Sequence, residues 1–137
     1  MADLTITAAN VVAGNTATIA RGIAAATITA GQILYLDPTS GKYGLADTDS
    51  ATAAVRTVAG VALHAASANQ PIALVTAGPV TIGAAILAGV FYYASGTAGG
   101  ICPVADVAAG DYPSVIGYGL STTVLQVKID NSGVVLA

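Results

Sequence analysis

Glycine and proline interrupt the long apolar stretches of this chain. The sequence contains 16 glycines and five prolines in 137 residues. Gly78 and Pro79 lie next to each other, and further glycines follow at 83, 89, 96 and 99. No apolar run therefore approaches the roughly 20 residues that a membrane-spanning helix needs. Short apolar segments separated by turn-forming residues are typical of β-strands, so the chain is expected to be a β protein.

Many of these segments alternate between apolar and polar residues, with the period of two that marks a half-buried strand. The pattern predicts strands at residues 3–7, 17–20, 26–29, 32–36, 42–46, 58–63, 72–76, 80–82, 90–94, 116–120, 124–129 and 134–136. One short helix is expected between residues 47 and 54, where alanine is frequent and Asp47 or Asp49 can cap the first turn. Strands that recur every 8–12 residues or so indicate an all-β sandwich or barrel.

The second half of the sequence repeats the first at an offset near 57 residues. AGQILY at residues 30–35 matches AGVFYY at 88–93, and VAGVAL at 58–63 matches VIGYGL at 115–120. A unit of this size buries too little apolar surface to be stable alone. We therefore predict an N-terminal arm or edge strand at 1–15, then one β domain at 16–137 built from pseudo-repeats at about 17–75 and 76–137. The expected architecture is a compact barrel-like or bent-ribbon (β-clip-like) domain with at most one short helix.

Charge is scarce in this sequence. Charged residues make up 8% of the chain, with four Lys or Arg against seven Asp and a net charge of −3. An average soluble domain carries about 25% charged residues. Four scattered cations cannot neutralise a row of phosphates or hold an anionic bilayer. Neither nucleic acid nor a membrane is therefore expected as a partner.

The residue types that carry most enzyme chemistry are few. His64 is the only histidine, and no G-x-S-x-G motif supplies a serine nucleophile for it. Cys102 is the only cysteine and has no basic neighbour in the sequence, so a small buried apolar residue is expected there. Asp47 and Asp49 resemble the start of a calcium loop but lack its glycine and its glutamate. We expect no enzyme activity and no catalytic, cofactor-binding or metal-binding residues.

Tyr92 and Tyr93 form an adjacent aromatic pair. Alternation along a strand places one ring in the core and the other at the surface. The outward ring lies at a sheet edge or belongs to a binding surface.

Four features of the chain together resemble the small head-decoration, or capsid cement, proteins of tailed bacteriophages. They are the start ADLTIT at 2–7, the block AGQILYLDPTSGKYGLAD at 30–47, the block VAGVALHAASANQPIALVTAGPVTI at 58–82, and the charge-poor, Ala/Gly/Thr-rich composition. The resemblance implies a structural virion protein that is made in the host cytoplasm. Its place would be the outer surface of an expanded capsid, where it binds the major capsid protein as a homotrimer and stabilises the shell.

The resemblance also implies a role for the N-terminal arm. In such proteins an arm often adds to a strand of the capsid protein, and main-chain hydrogen bonds along an exposed sheet edge supply the affinity. The matching positions here are Ala2, Asp3, Leu4, Thr5, Ile6 and Thr7. Such an arm is expected to fold on binding and to be disordered before it.

Two other functions stay open. One is a different virion part, such as a head-fibre base or a tail-associated subunit. The other is a small β-barrel module that binds a ligand or catalyses a reaction, with His64 and Cys102 as the residues to test.

Overall fold

The computed structural model describes residues 3–103 and 106–136, and its architecture confirms the predicted all-β, barrel-like domain. One sheet of ten strands curls into a half-barrel. The strands are β1 (Val11–Ala13), β2 (Thr18–Ile23), β3 (Ile33–Leu36), β4 (Tyr43–Leu45), β5 (Gly60–Ala62), β6 (Pro71–Ile82), β7 (Phe91–Ala94), β8 (Ile101–Pro103), β9 (Ser114–Gly119) and β10 (Val124–Asn131). A 3-10 helix at Ala8–Asn10 and helix α1 at Ala53–Arg56 complete the described elements.

The long strand β6 joins the two halves of the sheet. The path across the sheet is β4-β3-β5-β6-β10-β9-β7-β8, with β1 and β2 also paired to β6. Val75 lies between Ile19 of β2 and Val61 of β5, whereas Val80 lies between Ala13 of β1 and Leu125 of β10. Gly78 lies between Val75 and Val80 and has φ +98°, a backbone conformation that residues other than glycine rarely adopt. The first part of β6 therefore belongs to one half of the sheet and the second part to the other.

The two halves have the same strand register. Leu34 of β3 pairs with Leu45 and Gly60. Its counterpart 58 residues later, Tyr92, pairs with Pro103 and Gly117. Main-chain hydrogen bonds outside the strands are also equivalent between the two halves.

One pair of equivalent hydrogen bonds is made by Gly31 and Gly89. The N–H of Gly31 donates to Ala62 O at 2.8 Å, and the N–H of Gly89 donates to Gly119 O at 2.8 Å. This equivalence supports the duplication that the sequence offset predicts, with a boundary inside β6. The common origin of the halves stays a prediction.

The core follows from this arrangement. The larger apolar cluster takes fully buried residues from both halves, including Ile33 and Val75 from the first and Ile116 and Leu125 from the second. A smaller cluster around Ile28, Leu34 and Leu74 lies within the first half. The two halves are thus packed together through shared apolar contacts.

Several predicted elements differ from those observed. Residues 26–29 form no strand, since Ile28 makes only an isolated bridge with Ala66. Residues 134–136 form none either, because Gly133, at φ +67°, turns the chain and Val134 is left 68% exposed. The helix begins later than predicted, at Ala53. Upstream of it, side chains such as Asp47 accept hydrogen bonds from nearby backbone N–H groups and hold turns instead.

Candidate interaction surfaces

The predicted capsid-contact segment lies on the surface of its own domain. Residues 3–7 form no strand, so the prediction of a strand there is wrong. The N–H of Leu4 donates to Ile101 O of β8 at 2.8 Å, and the N–H of Thr7 donates to Gly83 O at 2.8 Å. Ala2, the remaining predicted contact residue, lies outside the described residues.

Side chains of this segment alternate as the sequence predicts. Leu4 and Ile6 are partly buried against the larger core cluster, whereas Thr5 and Thr7 are exposed. Ile6 occupies the space above Gly31, where a Cβ atom would lie 2.6 Å from the Ile6 Cγ2. The segment is therefore packed in the isolated chain, which differs from the expected disordered arm. The reason is that its apolar residues find partners within the domain itself.

Asp3 gives the segment a polar anchor. The Ser95 hydroxyl donates to the Asp3 carboxylate at 2.5 Å and also accepts the N–H of Thr97 at 3.0 Å. Since Ser95 is buried and Asp3 is half-buried, this hydrogen bond is partly shielded from water. Asp3 thus ties the start of the described chain to the turn between β7 and β8.

His64 follows β5 closely, as expected, and both of its ring nitrogens are engaged by the backbone. The N–H of Ala73 donates to Nε2 at 3.1 Å, which leaves the proton of the neutral ring on Nδ1. Nδ1 lies 3.0 Å from the carbonyl oxygen of Ala65 and donates to it. The ring extends the hydrogen bonding between β5 and β6, so a role as general base would break that bond.

Cys102 is buried on β8, as the sequence predicts. Burial, with smaller effects from nearby aspartates such as Asp3, raises the pKa of its thiol to about 12. A thiolate nucleophile needs a lowered pKa, which a cationic neighbour or a helix N-terminus supplies. This environment does the opposite and makes the thiol unreactive.

The acidic residues near Asp47 form a weak cluster of like charge. Burial raises the pKa of the Asp47 carboxyl to about 6, helped by a side-chain hydrogen bond with Asp49 and by the charges of Asp49 and Asp111, whereas the hydrogen bond from the Asp49 N–H acts in the opposite direction. Within residues 3–103 and 106–136, no group of three or more His, Cys, Asp or Glu side chains could hold a metal ion. Asp47 accepts the N–H of Asp49 at 3.2 Å, as an aspartate in a turn does.

An aromatic groove lies on the outer face of β7, β9 and β10. Tyr92 points inward and is 3% exposed, and its neighbour Tyr93 points into the groove, which confirms the predicted split of this pair. The groove has a volume of about 340 Å³. Its lining residues are Phe91, Tyr93, Val115, Tyr118, Lys128 and Asp130.

Sequence reasoning found only part of this groove. Phe91 lies two residues before Tyr93, so alternation could have placed it on the same face. Its ring packs edge-to-face on Tyr118, with centroids 5.8 Å apart. Tyr118 and the charged pair Lys128 and Asp130 come from other strands, whose register the sequence pattern leaves open.

Exposed apolar side chains are numerous for a chain with so few charges. The larger ones include Val12, Leu87, Phe91, Leu120 and Val134, each at least half exposed. Val12 also lines a wide, shallow depression beside Thr81 and Thr123. Apolar residues exposed in this number are a feature of surfaces that contact other macromolecules.

The described helices are all short, and none has the length and apolar character to cross a membrane. Comparison with known proteins gave no match to a family model, to a curated protein or to a solved structure.

Proposed function

We propose that this protein is a structural virion protein that binds the outside of an expanded phage capsid and stabilises it. The single observation that carries the proposal is the surface: large apolar side chains are widely exposed on a compact β domain that has only 11 charged residues. A protein with such a surface is more stable when the surface is buried against other subunits than as a monomer in solution. In this proposal the main partners are the major capsid protein and further copies of the chain, as a homotrimer.

The N-terminal segment is the proposed capsid contact, and its packing defines how the contact would form. The described residues 3–7 are held by two main-chain hydrogen bonds and the Asp3–Ser95 bond. Net contributions of about 1 kcal/mol each give a docking energy of roughly 3 kcal/mol from these bonds. A capsid strand that offers more main-chain bonds can exceed this and take the segment by exchange.

The first test is whether the protein is present on particles. Density-gradient fractionation of particles from the native source, with mass spectrometry for this chain, measures its copy number. Near-stoichiometric comigration with the major capsid protein is expected. A low copy number would favour a fibre or tail part instead, and absence from particles would overturn the proposal.

A second test separates the N-terminal contact from capsid binding as a whole. Thr5 is exposed, so Thr5→Pro removes a main-chain hydrogen-bond donor from the segment and leaves the packed side chains of Leu4 and Ile6 in the sequence. Capsids lacking this protein should bind Thr5→Pro about fivefold more weakly than the control Thr5→Ser, which keeps the N–H. Equal binding of both variants would overturn strand addition while leaving the capsid-binding proposal intact.

A further inference from the structure

Strand β2 lies at an edge of the sheet, because β6 is the one strand of the described chain that pairs with it. The main chain of Ala24 exchanges hydrogen bonds of 2.7 and 2.8 Å with residues 69–70, which lead into β6. Hydrogen-bonded positions alternate along an antiparallel pair, so every second residue back from Ala24 also faces β6. The main-chain N–H and C=O groups of Ile19, Arg21 and Ile23 therefore face away from β6.

The open part of this edge is centred on Arg21, and we call residues 19–23 the β2 edge. At the end of β2 the chain meets β4, since the N–H of Ala25 donates to Tyr43 O at 2.7 Å. Before that point, no strand of the described chain lies on the outer side of β2. The outward residues are all exposed. The Arg21 guanidinium forms no hydrogen bond or ion pair with the described residues.

The second half of the domain contains an equivalent edge. Residues 19–23 of β2 pair with β6 in the same register in which residues 77–81 of β6 pair with β10. Arg21 thus corresponds to Pro79, 58 positions later. Because proline has no N–H group, the β2 edge offers one hydrogen-bond donor more than its counterpart.

The edge in the second half is covered by β1. Val12 pairs with Thr81 in an antiparallel ladder, and the N–H of Gly14 donates to Pro79 O at 2.8 Å. Around Arg21 the described chain supplies no such strand. The domain itself therefore shows what an edge of this geometry receives, which is a short extended segment that runs antiparallel to it.

We propose that the β2 edge receives an extended segment of the capsid protein as an added strand, with an acidic side chain of that segment opposite Arg21. This inference rests on the proposed function, because it names a second surface with which the virion protein binds the capsid. In the contact by residues 3–7 this chain supplies the added strand, whereas at the β2 edge it accepts one. Main-chain hydrogen bonds supply the affinity of such a contact, and the side chains supply its specificity.

The side chains of the β2 edge select an acidic partner. Ile19 and Ile23 are 39% and 38% exposed and lie on the same face of the strand as Arg21. Opposite charges directly across a strand pair are stabilising, and like charges are destabilising. A second copy that paired through its own β2 about the same centre would place Arg21 opposite Arg21. The edge therefore favours a segment of another protein with a carboxylate between two apolar side chains.

Binding to capsids that lack this protein tests the main-chain contact. Arg21→Pro removes the outward N–H, and Arg21→Ala is its matched control, because it removes the same side chain and keeps that N–H. Proline suits an edge position whose N–H faces solvent, and the equivalent residue is Pro79. Arg21→Pro should bind about fivefold more weakly than Arg21→Ala. Equal binding of these two folded variants would overturn the inference.

Charge reversal tests the acidic partner. Arg21→Asp should bind the same capsids about tenfold more weakly than Arg21→Ala, since it places a carboxylate opposite a carboxylate. Lys128→Asp is the control, because Lys128 is an exposed cation on β10 and its replacement changes the net charge equally. Lys128→Asp should bind like the wild type. An equal loss for Lys128→Asp and Arg21→Asp would overturn the assignment of an acidic segment to the β2 edge.

Hydrogen–deuterium exchange of the whole chain, free and bound to capsids, locates the contact. Peptides that cover the β2 edge should exchange about tenfold more slowly on capsids than in the free protein. Capsid binding without this protection would overturn the inference and leave the proposed function intact. Protection in the free chain that grows with protein concentration would assign the edge to a second copy and overturn the inference as well.

The outcomes separate this inference from the proposed function. Thermal unfolding verifies that each variant is folded, and Arg21→Asp gives a readout even where Arg21→Pro does not fold. A wild-type chain that does not bind capsids at all would overturn the proposed function, and the inference with it. A wild-type chain that binds, together with an Arg21→Pro that binds as well as Arg21→Ala, would overturn the inference alone.

Discussion

Gly60 is a position where one added methyl group should be costly, because it meets the backbone of a neighbouring strand. It lies on β5, and a Cβ atom built on it is 2.5 Å from the carbonyl oxygen of Val75 on β6. Ordinary van der Waals contact begins at 3.4 Å, so Gly60→Ala must push β5 and β6 apart by about 0.9 Å. Val75 cannot move away freely, since it is fully buried and paired with Ile19 of β2 on its other side.

The expected cost follows from these contacts. Overpacking at a buried site costs about 1–3 kcal/mol, and weakening one or two main-chain bonds adds about 1–2 kcal/mol. The alanine returns roughly 0.4–1 kcal/mol by restricting the unfolded chain. Gly60→Ala should therefore lower the free energy of unfolding by roughly 2–4 kcal/mol. For a domain of this length that corresponds to a fall in Tm of about 6–12 °C.

Urea unfolding followed by circular dichroism measures this change, with linear extrapolation to water. Gly117→Ala is the companion variant, because Gly117 is the counterpart of Gly60 on β9 and its Cβ would meet the carbonyl group of Gln126. Gly96→Ala is the control. Its nearest atoms are the carboxylate oxygens of Asp111 at 3.3 and 3.4 Å, so the added methyl group needs a shift of only about 0.1 Å. A loss below about 1 kcal/mol for both Gly60→Ala and Gly117→Ala would refute the close strand approach on which the reasoning depends.

Three further predictions concern titration, reactivity and the N-terminal segment. The pKa of Asp47 is raised from 3.8 to about 6 in the folded chain, so the folded state binds the carboxyl proton more tightly than the unfolded state does. This proton binding stabilises the fold at low pH, and the stabilisation is lost as the pH rises through about 6. The Tm of the wild type minus the Tm of Asp47→Asn should therefore be larger at pH 4 than at pH 7 in thermal scans. Because burial raises the pKa of Cys102 to about 12, a maleimide reagent at neutral pH should label the thiol only after urea unfolding, and labelling of the native chain would contradict its burial. Ile6→Ala should lower the free energy of unfolding by about 1 kcal/mol, because Ile6 is partly buried. The control Thr5→Ala, at an exposed site, should change the free energy of unfolding by less than about 0.5 kcal/mol. Equal melting curves for the two variants would contradict the packing of residues 3–7 on the domain.

Alternation and glycine placement predicted most strands because each depends on neighbouring residues. Residues 32–36, which are predicted as a strand because they are rich in bulky side chains, contain β3, and residues 90–94 contain β7. The two segments predicted at 72–76 and 80–82 are parts of one strand, β6. Gly78 and Pro79 suggested a break between them, but Gly78 adopts a positive φ within the strand and lets it continue.

The candidate surfaces were less predictable because they depend on pairings between distant residues. Leu4 bonds to Ile101, and Ser95 bonds to Asp3 across 92 positions. The period of two at residues 3–7 was correct for burial, but it carries no information on whether the buried side faces this domain or a partner. The aromatic groove depends in the same way on register, since Phe91 meets Tyr118 only through the pairing of β7 with β9.

The N-terminal segment completes the second half of the domain in the way that residues 24 and 25 complete the first. The N–H of Ala25 donates to Tyr43 O at 2.7 Å, and the N–H of Leu4 donates to Ile101 O, the counterpart of Tyr43 on β8. If the segment exchanges onto a capsid strand, the edge of β8 loses this partner and is left open to another chain. An open edge is costly unless something covers it, so exchange becomes easier where a neighbouring copy already lies against the second half. Capsid binding and self-association should therefore favour each other.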